Sequence, residues 1–167
     1  PSYITVDQWR AGKALPDSIM IVVLSGMSVP GRYLRGMPAS RRELLQLIDG
    51  FRGQTLLGGP AALDRGLRER FHHAHYLDAA SAAYDLLEKG RADDRWRSVE
   101  EWDRWLMLGA DCVLSHPDHP QPLMAELETY RGCIRYVNGG CSFCVEPLKG
   151  RPVFREPASI IAEARAL

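Results

Sequence analysis

Three of the four cysteines, Cys133, Cys141 and Cys144, stand together in the stretch ETYRGCIRYVNGGCSFC. Thiolates are soft ligands, and Cys141-Ser-Phe-Cys144 is a CxxC pair of the kind used in zinc knuckles, redox dithiols and iron–sulfur sites. A thioredoxin-like dithiol opens a helix after a strand and has no use for a third thiol. A closed structural zinc needs a fourth ligand, which Cys112, His116 or His119 can supply from across a proline-rich loop. Three thiolates in one loop with no fourth beside them suit a four-iron four-sulfur cluster with one iron left open to a ligand. Spacing alone leaves the open cluster, the zinc staple and a redox or metal-free role all standing.

The elements that must position this loop read as α/β. Residues 2–6 (SYITV) form a β-branched run expected to be a strand. Residues 19–25 (IMIVVLS) are continuously apolar, as in a strand buried on both faces of a parallel sheet. Ser40-Arg-Arg-Glu43 is a capping box that opens a helix with Leu44, Leu45, Leu47 and Ile48 along one stripe. Residues 54–60 (QTLLGGP) then supply another short buried strand, which completes a βαβ unit and makes the sheet parallel.

Further helices are expected over residues 61–70, from Asp78 to the Gly90 stop, and from the Ser98-Val-Glu-Glu101 box to Gly109. Trp102, Trp105, Leu106 and Leu108 are assigned to the buried face of the last of these, and the tryptophans, Trp96 included, to packing. HPDHPQP, residues 116–122, has three prolines and reads as a linker. Residues 123–129 are expected to be a strand leading into Cys133, and residues 156–167 a helix with Pro157 in its first turn.

Composition narrows the class. The 167 residues are 46% hydrophobic and 25% charged, ordinary for a folded domain, and 21 basic residues balance 21 acidic ones. No basic excess points to nucleic acid, no apolar run is long enough to span a bilayer, and no leader pattern opens the chain. With few cysteines besides, the expected setting is cytoplasmic and reducing, with no membrane partner.

The residues around the thiols carry a resemblance. ETYRGC…GGCSFC resembles the cluster loop of the radical S-adenosylmethionine (SAM) superfamily, although seven residues separate Cys133 from Cys141 where three are usual. The string from residue 127 to 167, with ITVDQWR, GMSVPGRYLRGMP and LLGGP upstream, is similar to a mainly archaeal branch of Fe–S oxidoreductases of this type. The resemblance implies that Cys133, Cys141 and Cys144 ligate three irons of a [4Fe-4S] cluster and that SAM chelates the fourth. Reductive cleavage of SAM would then release a 5′-deoxyadenosyl radical that abstracts hydrogen from a substrate not identified by sequence. It also implies an external electron donor of flavodoxin or ferredoxin type, Phe143 beside the adenine, and Arg131 or Arg135 near the SAM carboxylate.

On this reading residues 1–122 are an incomplete doubly wound, Rossmann-like domain. Residues 123–167 are then the first βα unit of a partial (β/α) barrel. The SAM-binding elements of later barrel strands are absent, so the chain is expected to be a fragment inactive by itself. The rival reading is a non-catalytic binding module stapled by zinc on the same cysteines.

Other motifs are assigned plainer roles. Cobalamin is not expected, because no Asp-x-His-x-x-Gly string occurs. GMSVPGRYLRGMP follows a buried strand, where doubly wound sheets place ligands, but reads as a tight loop. His72, His73 and His75 read as a strand end, His116 and His119 as shaping the linker, and Cys112 as a small buried hydrophobe.

Overall fold

The computed structural model describes residues 2–26, 37–93, 95–121 and 123–167. The loop GMSVPGRYLRGMP lies mostly outside them. The chain divides into two compact units, Pro1–Trp96 and Arg97–Leu167. The division comes earlier than the proline-rich stretch at residues 116–122, which lies inside the second unit because the helix before it packs against the C-terminal helix.

The first unit is a three-stranded parallel sheet with helices. Its strands are β1 (Met20–Leu24), β2 (Gln54–Gly58) and β3 (His73–His75), in the order β1-β2-β3. Met20 pairs with Gln54 and Leu24 with Gly58, and Leu56 pairs with His73. The helices are α1 (Val6–Arg10), α2 (Arg41–Asp49), α3 (Arg65–Arg68) and α4 (Ala79–Lys89).

Period-two alternation explains why β2 is apolar at both Leu56 and Leu57: successive side chains serve opposite faces. Leu57 joins Leu44 and Ile48 of α2, Ala62, Leu67 and Phe71 in one cluster, while Leu56 joins Ala82 and Leu86 of α4 in the other. Both leucines are fully buried. A strand covered on two faces fits the parallel arrangement. β1 differs from expectation: it is an edge strand among the described residues, and Leu24 is exposed.

Two further expectations change. Residues 2–6 form no strand, because Thr5 and Gln8 make a capping box that starts α1 instead. Thr5 Oγ1 accepts from the Gln8 amide at 3.2 Å and Gln8 Oε1 accepts from the Thr5 amide at 3.1 Å. This reciprocal pairing outweighs the β-branched preference. The helix expected over 61–70 breaks at Asp64, whose carboxylate accepts from the Leu67 amide at 3.0 Å and opens α3 after a 3-10 turn, Pro60–Leu63. The Ser40 capping box and the left-handed Gly90 stop of α4 are as expected.

The second unit contains α5 (Val99–Gly109), β4 (Tyr130–Arg131), β5 (Val153–Phe154) and α6 (Pro157–Ala166). α5 starts at Ser98 as expected, but Gly109 does not end the helical path, which tightens into a 3-10 turn, Ala110–Ser115. Trp102 is buried, whereas Leu108 and Trp96 are exposed. Residues 123–129 are not a strand. The extended piece is the two-residue β4, paired antiparallel with β5 as Tyr130 to Phe154 and Arg131 to Val153. Among the described residues no helix is long and apolar enough to cross a membrane.

Arg10 ties α1 to the start of α2: its guanidinium donates to Glu43 at 2.7 Å, Asp7 at 2.8 Å and the Met37 carbonyl at 2.7 Å. The Arg10 hydrogen bond, with those from Ser40, holds the Glu43 carboxyl at about 2, against an ordinary 4.5. A depressed carboxyl stabilises the fold above the ordinary value, and that contribution is lost as pH falls through the depressed one. Glu43→Gln should therefore flatten the part of the acid-stability profile between these two values, read by thermal melts across pH. Leu57→Ala, which empties the centre of the α2-side cluster, should cost about 2–5 kcal/mol in urea denaturation.

Candidate metal centre: the cysteine loop

The cysteine loop starts where β4 ends. Gly132 has φ +90°, and a Cβ there would lie 2.5 Å from the Arg151 carbonyl oxygen. Only glycine lets the outgoing backbone pass the returning one this closely. The result is a hydrogen bond from the Cys133 amide to the Gly150 carbonyl at 2.9 Å. A 3-10 turn, Ile134–Asn138, follows, and Gly139 and Gly140 reverse the chain with φ +79° and +78°. The Gly140 amide closes the turn on the Arg135 carbonyl at 3.1 Å, and a side chain at Gly140 would run into the Pro147 ring. Cys141 and Cys144 then bracket a tight turn in which the Cys144 amide donates to the Cys141 carbonyl at 3.1 Å.

All three thiols are free and half-buried. Two receive hydrogen bonds from one residue. The Arg135 amide donates to Cys133 Sγ at 3.4 Å, and its Nη1 donates to Cys141 Sγ at 3.2 Å. Such donors stabilise negative charge on sulfur.

Among the described residues no three His, Cys, Asp or Glu side chains converge closely enough to hold a single metal ion. A tetrahedral zinc site demands four ligands within about 2.0–2.3 Å of one point. In kind and number the donor set, three thiols supplied with sulfur hydrogen bonds, fits a cluster with one iron open.

Cys112 is a free thiol, and the histidines make other contacts. Cys112 is exposed, not buried, because Ala110 is the residue that the Ala110–Ser115 turn packs inward. His116 Nδ1 accepts from the Asp118 amide at 3.2 Å and shapes its own loop. His72, at the strand end, pairs with Thr55 through its Nδ1 at 2.9 Å, and His75 Nδ1 lies 2.9 Å from the Leu77 carbonyl. Of the residues expected near SAM, Phe143 is 88% exposed. The Arg131 guanidinium is engaged by the framework: it donates to Glu128 at 3.0 Å and stacks 4.0 Å from the Trp102 ring centre.

That framework centres on Arg155, which no sequence motif marks. It is 4% exposed and directly follows β5. Its guanidinium donates to Asp103 of α5 at 2.5 Å, Glu163 of α6 at 2.6 Å and the Glu128 carbonyl at 2.7 Å. Burial works against the charge, and the bonds to Asp103 and Glu163 outweigh it, so the guanidinium is held above its ordinary value. Lys149, from the 3-10 turn Glu146–Lys149, pairs with Glu146 at 2.6 Å and with Glu128 at 3.5 Å. Both ends of the cysteine loop are thereby anchored to one ionic network. Its members come from five stretches of sequence, and only the Glu128–Arg131 and Glu146–Lys149 pairs are local.

The chain is 34% identical over 186 residues to an uncharacterized protein of Methanocaldococcus jannaschii, covering 99% of this chain and 34% of the relative. It is 31% identical over 171 residues to an uncharacterized protein of Archaeoglobus fulgidus, covering 99% of this chain and 30% of that relative. The chain thus spans about a third of the length of the curated relatives it matches. No family model matches it. No solved structure matches it either.

Arg155→Met would leave Asp103 and Glu163 facing each other without a counter-charge. A loss of about 3–5 kcal/mol in urea denaturation is expected, as for a buried pair broken from one side. Faster hydrogen exchange at the Cys133 amide should accompany it, because β5 and the Gly150 acceptor lose their anchor.

Proposed function

We propose that this chain carries the cluster loop of a radical SAM enzyme. The observation that carries the reading is the loop itself: three free thiols on one glycine-turned segment, with hydrogen bonds on two sulfurs. The resemblance of ETYRGC…GGCSFC supplies the chemistry that such a donor set would serve.

On this reading Cys133, Cys141 and Cys144 hold three irons of a [4Fe-4S] cluster. Bound together, cluster and SAM supply one-electron cleavage of a sulfonium and a 5′-deoxyadenosyl radical for hydrogen abstraction. The chain's own residues position and protect. Gly132 and Gly140 fix where the thiols leave the backbone. Phe143, between the CxxC cysteines, offers an exposed ring for the adenine. The three-stranded parallel sheet is read as part of a Rossmann-like domain. The segment from β4 to α6 is read as the first βα unit of the barrel, with the SAM-binding strands in other parts of the full-length protein. The electron donor is of flavodoxin or ferredoxin type, the substrate is an unidentified molecule, and the setting is the cytoplasm.

Anaerobic reconstitution with iron and sulfide tests this. A brown protein with about four irons per chain is expected, with Cys133→Ala, Cys141→Ala and Cys144→Ala each losing the cluster and Cys112→Ala keeping it. A colourless protein that retains one tightly bound zinc would overturn the reading in favour of the zinc-stapled module.

A further inference from the structure

Two arginines flank the first thiol, and they are used differently. Arg131 is committed to Glu128 and the Trp102 face. Arg135 is turned toward sulfur: its Nη1 lies 3.2 Å from Cys141 Sγ and its amide 3.4 Å from Cys133 Sγ. Among the described residues no carboxylate forms an ion pair with it, so its charge is directed at the thiols without a competing partner.

We infer that Arg135 is a positioning residue that raises the reduction potential of the cluster held by Cys133, Cys141 and Cys144. The inference rests on the cluster reading above. One-electron reduction adds one negative charge to the cluster and its thiolates. A guanidinium within hydrogen-bond reach of a ligand sulfur interacts more favourably with the reduced form than with the oxidised one. Hydrogen bonds to sulfur and net local charge are the two levers that set such potentials within one cluster type. Arg135 applies both at Cys141 and, through its backbone, adds a second donor at Cys133. The turn fixes that backbone donor in place: Gly140 N bonds the Arg135 carbonyl, so the peptide units on both sides of Arg135 are held.

The inference separates the two donors by chemistry. Replacing the side chain removes the charge and the Cys141 bond and leaves the amide at Cys133 untouched. Lysine restores a charge but not the planar fork that reaches the sulfur at a fixed angle.

The test is EPR-monitored potentiometry of the reconstituted chain, with dithionite supplying the electron. Arg135→Gln should move the midpoint to more negative potential by about one decade in the reduced-to-oxidised ratio, roughly 59 mV for one electron. Arg135→Lys should move it the same way by a smaller step, and iron content should stay at the wild-type level. A cluster in the wild type with an unchanged midpoint in Arg135→Gln overturns this inference and leaves the cluster reading intact. If Arg135→Gln assembles no cluster, Arg135→Lys decides: a negative shift supports the inference and an unmoved midpoint overturns it. Failure of the wild-type chain to take up any cluster overturns the cluster reading, and this inference with it.

Discussion

The buried Arg155 guanidinium is the constraint on which the second unit depends. It bonds α5 through Asp103, α6 through Glu163, and the segment before β4 through the Glu128 carbonyl. Two carboxylates and a carbonyl around one buried cation meet the condition under which a buried charge is tolerated, namely that it is paired and hydrogen-bonded. Trp102 sits between Arg155 and Arg131 and lends its ring to both, at 5.6 Å and 4.0 Å. A two-residue pair such as β4 and β5 contributes little by itself. The ionic centre gives its strands a fixed place, and so fixes where the cysteine loop leaves and returns.

Within the loop, sulfur polarity and backbone sterics act together. Gly132 and Gly140 permit close passes that a side chain would block. Those passes aim the Arg135 amide and guanidinium at two different sulfurs. The three thiols are unpaired, and two of them accept hydrogen bonds from Arg135. Ile134, Val137 and Phe143 are exposed on the loop, alongside the equally exposed Arg135 and Asn138.

Much of the first unit was legible. The apolar run at residues 19–25, the Ser40 capping box and the QTLLGG strand are local signals, and each produced the expected element. Residues 2–6 misled because β-branched propensity is weaker than the Thr5–Gln8 cap that overrode it. The break at Asp64 came from a second cap inside an otherwise helical pattern. Residues 123–129 misled for a different reason: a strand needs a partner, and β5 offers one only to Tyr130 and Arg131.

The cysteines drew attention by their spacing, but the turns that Gly132, Gly139 and Gly140 impose on the loop were not read from it. Arg155, Asp103 and Glu163 were not legible, because charges on three elements become one network only after folding. Cys112 was misjudged as buried because the apolar Val113 and Leu114 beside it suggested burial, whereas Ala110 takes the inward position and Leu114 is exposed.

The central claim is a cluster held by three cysteines with one iron that no side chain ligates. Mild oxidation of the anaerobically reconstituted chain, followed by EPR, tests it most directly. The account predicts selective loss of one iron, a three-iron signal, and recovery of the original cluster when ferrous iron and a reductant are returned. A cluster that keeps all its irons under the same treatment would contradict the claim, as would a protein that binds no cluster at all.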